Sequence, residues 1–329
     1  AGLRAESSFY EGELTQTGQK FSTNYPVSLF PSASASYKLN NKTDLQINYS
    51  RRINRPNFFQ IIPYSDYSDS LNISKGNPGL KPEFTHSIEL SAMQTLSRKN
   101  TLMASVYYKQ TDGVITRYLS YEADTILGRN VLVSTFRNAN TSYAYGIELT
   151  AQNNIKGWLD ITSNINAYQS VINGKNIESN LKVEQFSWFA KLNLNIKLPK
   201  NFSVSLSGDY QSKTALQINN GGGGRGFMGG TQNTAQGFIR PNYGVDAGLR
   251  YDFLKDKAAS LTLNVSDIFK TRVNDVHSES DFYIQDSWRK RDAQIFRLNF
   301  SYRFGKFDTS LFKRKNQKIN TEGMQDMSM

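Results

Sequence analysis

Few residues in this chain have the type and spacing that catalysis or metal binding requires. The 329 residues include two histidines, His86 and His277, and no cysteine, which excludes disulfide scaffolds, thiol nucleophiles and cysteine-based zinc sites. The histidines are far apart in the sequence, so two unrelated side chains are a simpler interpretation than a metal pair. We recognise no Ser-His-Asp order with the context of a nucleophile elbow. We therefore predict that the chain is not an enzyme and uses no metal or cofactor.

Two further patterns have the composition of ligand loops but not their spacing. The glycine-rich run at 221–226 lacks the Lys-Ser/Thr pair of a phosphate-binding loop, so flexibility is its simpler interpretation. Asp66 and Asp69, with the serines beside them, could bind calcium, but their spacing fits no known calcium loop.

The most suggestive side chains are arginines and aromatic residues in and beside one long segment, 54–82. These residue types are preferred anchors in binding sites, so we expect a ligand to bind here. A second interpretation is that the aromatic rings pack the loop against its surroundings. The candidate ligand-binding residues are Arg51, Arg52, Arg55, Phe58, Phe59, Tyr64 and Tyr67.

The net charge of +11, from 39 Lys and Arg against 28 Asp and Glu, raises the question of nucleic-acid binding. No run of basic residues is longer than three, and the densest one, at 313–315, lies in a polar tail. Spread along the chain in this way, the basic residues predict no nucleic-acid partner.

The elements that must position these residues are β-strands. Large apolar residues alternate with polar ones along most of the chain, as in Phe296, Leu298, Phe300, Tyr302 and Phe304 against Arg297, Asn299, Ser301 and Arg303. Because neighbouring side chains of a strand point to opposite faces, each strand has one apolar and one polar face. No stretch approaches 18 apolar residues, which excludes helical membrane spans.

Strand length and loop length together favour a transmembrane barrel. Many segments exceed the five or six residues typical of soluble strands, and short turns alternate with long loops, as in outer-membrane barrels. The predicted long loops are 10–26, 54–82, 119–130, 171–181, 214–238 and 270–292. The predicted twelve strands are 2–9, 28–39, 43–53, 83–96, 100–119, 130–153 (kinked near 138–140), 157–170, 182–198, 201–213, 238–253, 258–269 and 292–305.

The even strand count places the long loops outside the cell and the short turns in the periplasm. We predict an all-β, transmembrane antiparallel β-barrel over 1–305, in contact with outer-membrane lipid, and a polar C-terminal periplasmic tail over 306–329. Tyr and Phe near the strand ends, such as Tyr37, Tyr251 and Phe253, are typical of aromatic girdles.

Several motifs, in order, resemble the C-terminal barrel portion of TonB-dependent receptors. The nearest resemblance is to the outer-membrane β-barrel family of Bacteroidota that often has a carboxypeptidase-regulatory-like N-terminal domain. The main motifs are SRRINRPNF at 50–58 and GNPGLKPE at 76–83. Weaker ones are GLRAE at 2–6, YGIEL at 145–149, NVSDIF at 264–269 and FSYRFGK at 300–306.

The resemblance implies an outer-membrane receptor that takes up an unidentified ligand through its loops and lumen. Such receptors have 22 strands around a plug, and TonB acts through the plug. The chain shows no plug, TonB box or N-terminal domain, and it ends in a polar tail rather than a terminal aromatic residue. We therefore expect the plug and the other strands to come from an N-terminal part of the same gene or from a second polypeptide. The alternative is a structural or scaffold barrel that binds a partner protein or surface lipoprotein.

The expectation that other strands complete the barrel predicts which strands pair in the structure. An open sheet leaves two unpaired edges, which lipid does not tolerate. If the barrel is completed by other strands, strand 2–9 and strand 292–305 should not pair with each other.

Two short motifs predict surface modification. Asp69-Ser70-Leu71 and Asp124-Thr125-Ile126 resemble the O-glycosylation signal of Bacteroidota, and both fall in predicted outer loops. A glycan on Ser70 or Thr125 would be bulky and solubilising, which suits an exposed loop. We expect intact-mass spectrometry of the protein from its native host to show added hexose-containing mass that Ser70→Ala and Thr125→Ala remove. A mass equal to that of the bare polypeptide would contradict the prediction.

Overall fold

A computed structural model describes residues 1–15, 17–69, 72–124, 126–177, 182–215, 237–279, 284–290 and 294–304. Over these residues the chain forms eighteen strands and one single-turn helix, α1, Phe58–Ile61, with 3-10 turns at Pro199–Asn201 and Lys255–Lys257. The strands are β1 Gly2–Leu14, β2 Gln19–Asn40, β3 Thr43–Asn54, β4 Ser65–Asp66, β5 Asn72–Lys75, β6 Glu83–Ser97, β7 Asn100–Asp124, β8 Arg129–Ile155, β9 Leu159–Asn173, β10 Lys182–Lys197, β11 Phe202–Gln211, β12 Thr214–Ala215, β13 Gly237–Ile239, β14 Asn242–Phe253, β15 Ala259–Val265, β16 Val273–Glu279, β17 Ile284–Lys290 and β18 Phe296–Tyr302.

Twelve long strands form one antiparallel sheet in which each pairs with its neighbours along the chain. The order is β1-β2-β3-β6-β7-β8-β9-β10-β11-β14-β15-β18. Two short strands extend this sheet, because β4 pairs with β5 and β5 runs parallel to β8. The predicted all-β class and the predicted succession of twelve antiparallel strands are confirmed.

The register separates an apolar face from a polar face. Leu90 of β6 lies between Ile47 of β3 and Val106 of β7, and these side chains are 50%, 49% and 47% exposed. The next residue, Ser91, faces the other way and lies between Gln46 and Ser105. We call the apolar face the outer face and the polar face the inner face. Within the described part of the chain, no helix is long and apolar enough to cross a membrane.

The first and last strands are the edges of the main sheet. Among the described residues, β1 pairs with β2 alone and β18 pairs with β15 alone, so the two strands do not pair with each other. The expectation that they would not close the sheet directly is confirmed for these residues.

Several predicted loops are wrong in part, because strands continue into them or lie within them. In the predicted loop 119–130, β7 continues to Asp124 and β8 begins at Arg129. The predicted loop 10–26 is largely strand, since β1 and β2 continue to Leu14 and from Gln19. The predicted loop 270–292 contains the hairpin β16–β17, and 54–82 contains α1, β4 and β5. In these segments backbone hydrogen bonds between strands and ion pairs, rather than alternating apolar side chains, support the strands.

One further strand prediction needs correction, and the predicted tail lies outside the described residues. The tenth predicted strand, 238–253, is split into β13 and β14 at Pro241, which has no N–H for the ladder. Near Asn138 the pairing of β8 with β7 keeps one register on both sides of Gly113, so the expected kink brings no register shift. The described residues end at 304, before the tail 306–329.

The two faces predict opposite outcomes for neighbouring substitutions. Leu90→Arg places a charge on the outer face, where lipid contact should cost about 2–4 kcal/mol near the bilayer midplane. Ser91→Arg places the same charge on the polar inner face, and we expect little loss. Urea unfolding of the protein in lipid vesicles measures both, and equal losses would contradict the assignment of the faces.

Candidate ligand-binding site

We call the segment between β3 and β6, residues 55–82, the mouth loop, and its described parts, 55–69 and 72–82, contain α1, β4 and β5. It begins with α1, whose start is fixed by a capping box: Asn57 Oδ1 accepts from the N–H of Gln60 at 3.0 Å, and Gln60 Oε1 accepts from the N–H of Asn57 at 2.9 Å. The returning chain then donates from Asn77 N–H to the carbonyl of Gln60 at 2.7 Å. The loop is thus closed on itself by its own backbone.

A glycine makes this close return possible. A Cβ atom on Gly76 would lie 2.2 Å from the carbonyl oxygen of Ile62, so any side chain at 76 would push the two strands of the loop apart. This gives a physical reason for the first glycine of the motif at 76–83.

Asparagine side chains fasten the mouth loop to the β7–β8 hairpin. Asn138 Nδ2 donates to the carbonyls of Lys81, at 2.9 Å, and Gly113, at 2.7 Å, while its Oδ1 accepts from the N–H of Lys81 at 2.9 Å. Asn77 Nδ2 donates to the carbonyl of Phe136 at 2.8 Å. These bonds satisfy loop backbone that no sheet ladder pairs.

A buried carboxylate fixes the end of the loop. Glu83 is 5% exposed; its Oε1 accepts from the backbone N–H of Ile115 at 2.6 Å and its Oε2 from Asn54 Nδ2 at 2.7 Å. Burying a carboxylate is costly unless hydrogen bonds compensate, and here they link β3, β6 and β7 at one point.

An apolar cluster lies beneath the loop. Ile61, Leu80 and Ile115 are at most 1% exposed, and Phe21 and Phe136 pack against them. The side chains that pack the loop are therefore mainly aliphatic, and the sequence analysis did not select them.

The four aromatic candidates remain accessible instead. Phe58 and Phe59 are 56% and 44% exposed, with their rings edge-to-face at 5.7 Å. Tyr64 is also exposed, and Tyr67 donates its hydroxyl hydrogen to Asp124 Oδ2 at 3.0 Å. We call these four residues the aromatic platform, because they stand on a loop that is anchored by other side chains.

The three arginine candidates do not join the platform as one cluster. Arg51 donates from Nη1 to the carbonyl of Leu29 at 3.1 Å, and its buried Nε has no hydrogen-bond partner. Arg55 binds Glu6 and Ser8 of β1 at 2.7 and 2.8 Å.

Arg52 lies on the opposite face of β3 from Arg51. It pairs with Thr85 across the sheet and lines an open groove on the inner face with Asn48 and Glu89. Among the three arginines, Arg52 is therefore the one that the structure leaves on the inner wall.

Asp124 organises the tip of the β7–β8 hairpin. Its Oδ1 accepts from the backbone N–H groups of Ile126 and Leu127, and the bond from Leu127 contributes most to holding the pKa of Asp124 below its ordinary value. Burial, followed by the hydrogen bond to Asp124, raises the pKa of Tyr67. The ionised carboxylate thus ties the mouth loop to the hairpin tip.

The remaining sequence candidates have separate places. Ser70 and Thr125 lie outside the described residues. Asp66 accepts the N–H of Ser68 in a local turn, and the described residues contain no group of three His, Cys, Asp or Glu placed to hold a metal.

The two histidines belong to different sheets. His86 of β6 lies 2.9 Å from the hydroxyl of Tyr49, whereas His277 of β16 lies 2.9 Å from Asp286 of β17. Each therefore has its own polar partner, and neither partner is a second histidine.

The sequence analysis missed an ionic network in the four-stranded sheet β12-β13-β16-β17. Arg240 bridges Asp275 and Asp286, both at 2.7 Å. Hydrogen bonds with His277 and Arg240 hold the pKa of Asp286 below its ordinary value. The partners are distant in sequence and belong to no motif, so no sequence signal joined them.

Comparison with known proteins gives one family and a set of similar folds. The sequence model of the "Outer membrane protein beta-barrel family" matches residues 1–302. No curated protein matches the chain.

Solved structures with a similar fold include three outer-membrane receptors and transporters. The siderophore receptor PirA from Pseudomonas aeruginosa is 18% identical, with a TM-score of 0.53 over 77% of this chain and 41% of that one. The ferric-catecholate import receptor Fiu from K12 E. coli is 17% identical, with a TM-score of 0.54 over 87% and 36%. The FrpB iron transporter from Neisseria meningitidis is 14% identical, with a TM-score of 0.53 over 87% and 39%. The chain spans about two fifths of the length of these structures, and the likeness shows a shared fold.

The anchoring of the mouth loop predicts a local effect of one asparagine. Asn138→Ala removes three hydrogen bonds and leaves loop backbone groups unpaired, which should cost about 1–3 kcal/mol of local stability. We expect amide hydrogen exchange over 76–82 to accelerate at least tenfold. Asn140→Ala, two residues along the same strand, is the matched control, and equal exchange in both variants would contradict the assigned role.

Proposed function

We propose, since the chain belongs to the outer membrane protein beta-barrel family, that it forms the C-terminal barrel portion of a TonB-dependent receptor. The chain is an integral outer-membrane protein, and its outer-face side chains contact lipid. In this proposal the long loops are extracellular, and a ligand binds among these loops and the lumen.

The fold supports the proposal, because the similar structures are barrels of a siderophore receptor, an import receptor and an iron transporter. Edges β1 and β18 would pair with further strands of a 22-stranded barrel, supplied by the same gene or by a second polypeptide. A plug inside that barrel would connect it to TonB. The motifs at 50–58 and 76–83 favour the Bacteroidota type with a carboxypeptidase-regulatory-like domain.

The observation that carries the binding part of the proposal is the aromatic platform. Contiguous patches of exposed large apolar side chains mark sites that bind a protein, a ligand or a membrane. Here the exposure of Phe58 and Phe59 is not a result of loose structure, because α1 is capped and Ile61 beneath it is buried.

A second candidate function rests on the same observation. A rigid aromatic surface also suits a protein partner, since aromatic anchors dominate protein interfaces. In that case the barrel would be a scaffold for a surface lipoprotein or another outer-membrane partner, and the platform would be covered in the purified complex.

The two candidates predict different results for one double variant. We expect Phe58→Ala/Phe59→Ala to reduce ligand uptake about tenfold or more, because truncating an aromatic anchor costs about 2 kcal/mol or more. The measurement is TonB-dependent uptake of radioactive iron bound to enterobactin and to other catecholate and hydroxamate siderophores, in cells that express the full-length protein. Leu90→Ala on the outer face is the control for expression.

Uptake that persists without TonB would contradict the receptor proposal. A co-purifying lipoprotein that is lost from the double variant but retained by the control would support the scaffold instead.

A further inference from the structure

The hairpin β1–β2 leaves the wall of the main sheet halfway along its length. β2 pairs with β3 only as far as Ser32, opposite Ser50, yet it continues to pair with β1 up to Gln19. Beyond this point the β1–β2 hairpin extends without β3, so it can take its own direction.

A bulge and two prolines mark the place where the direction changes. The β1–β2 register shifts between Glu6 and Ser8, and β2 contributes one residue more than β1 to this interval. Such a bulge bends and twists the strand. Pro26 lies in the bulge and Pro31 beside the end of the β2–β3 pairing, and neither has an N–H for a ladder.

The outer half of the hairpin rests on the mouth loop. Thr23 and Tyr25 are 8% and 5% exposed, and their hydroxyl groups donate to the carbonyls of Pro78 at 3.0 Å and Leu80 at 3.2 Å. Phe21 packs against the apolar cluster beneath the loop. These two hydrogen bonds, the bond from Arg55 to Ser8 and the ring of Phe21 hold this half of the hairpin onto the mouth loop.

Side chains fill the gap that the hairpin leaves beside β3. The rings of Phe30 and Phe84 stack at 6.3 Å, with Arg4 over the first at 5.1 Å and Arg51 over the second at 4.7 Å. Backbone pairs between β2 and β3 are absent from this part of the described sheet. Side chains can separate here without breaking a backbone ladder.

We propose that residues 8–14 and 19–25 form a hinged lid over the mouth of the barrel, closed in this structure. The bulge is the hinge, and Arg55 holds Glu6 on its fixed side and Ser8 at the start of the lid. This inference rests on the proposed function, because the opened lid gives a ligand access to the interior beside the aromatic platform.

The contacts make the lid, rather than the mouth loop, the moving part. Three side-chain hydrogen bonds from Asn77 and Asn138, together with the parallel backbone pairing of β5 with β8, hold the mouth loop to the β7–β8 hairpin. Three side-chain hydrogen bonds, through Thr23, Tyr25 and Ser8, hold the lid onto the mouth loop. Release of the mouth loop must also break the backbone pairing of β5 with β8, which makes it the costlier motion.

One glycine offers a way to open the lid. A Cβ on Gly12 would lie 2.6 Å from the ring of Phe21, so Gly12→Val would displace that ring from the cluster without changing the mouth loop. Gly208→Ala is the matched control, since a Cβ there meets no atom closer than 4.0 Å.

The first experiment measures opening without any ligand. Leu80 lies beneath the lid at 1% exposure, and Ile73 is equally buried, at 2%, in the same loop but in a different cluster. This chain has no cysteine of its own. In the full-length protein on cells, we expect a maleimide probe to label Leu80→Cys at least tenfold faster than Ile73→Cys. Gly12→Val should accelerate the labelling of Leu80→Cys but not that of Ile73→Cys. Equal labelling rates for Leu80→Cys and Ile73→Cys would contradict the lid proposal.

The second experiment locks the lid. We expect the double variant Thr23→Cys/Pro78→Cys to lose siderophore uptake at least tenfold when oxidised and to regain it on reduction. Glu11→Cys/Ser22→Cys joins the two strands within the hairpin and should leave uptake unchanged. Full siderophore uptake by the oxidised Thr23→Cys/Pro78→Cys variant would contradict the lid proposal. If the wild-type protein itself takes up no siderophore, the receptor proposal is refuted, and the labelling rates of the first experiment then test the lid alone.

Discussion

The structure depends on the pairing of backbone N–H and C=O groups between neighbouring strands. In hydrocarbon an unpaired backbone group costs several kcal/mol, so the part of the chain that meets lipid must be a continuous ladder. From β3 to β9 the ladder runs without a gap through the rows that present Ile47, Leu90, Val106 and Ile147 on the outer face. The backbone ladder is interrupted in two places, between β2 and β3 and at the mouth loop. Both places lie near the strand ends that the long loops connect.

Where the ladder stops, side chains replace it. Asn138 satisfies backbone groups on two segments at once, and Glu83 accepts a backbone N–H that no strand pairs. These bonds make the mouth loop a rigid support, and the support allows Phe58 and Phe59 to remain exposed without the loop collapsing around them. The candidate site is therefore a consequence of polar anchoring rather than of apolar packing alone.

Most of the wall could be predicted from the sequence, and most of the mouth could not. Alternation such as Leu45, Ile47 and Tyr49 has a period that only a strand explains, and it identified the twelve wall strands. In the mouth, the decisive partners are far apart in the sequence: Asn138 belongs to β8 and Lys81 to the mouth loop, and no local pattern connects them. Arg51 and Arg52 show the same limit, because adjacent residues of a strand face opposite sides and a shared residue type does not mean a shared site.

The parallel pairing of β5 with β8 has a consequence for the order of assembly. The β7–β8 hairpin closes through contacts that are local in sequence, whereas Ile73 can meet Val133 only after that hairpin exists. Non-local pairing adds loop-closure entropy and is slow to form. The mouth loop therefore becomes ordered after the wall strands on either side of it. Until then Ile61 and Leu80 lack the cover that they have in the folded structure, so the partly folded chain exposes apolar side chains at this end of the sheet.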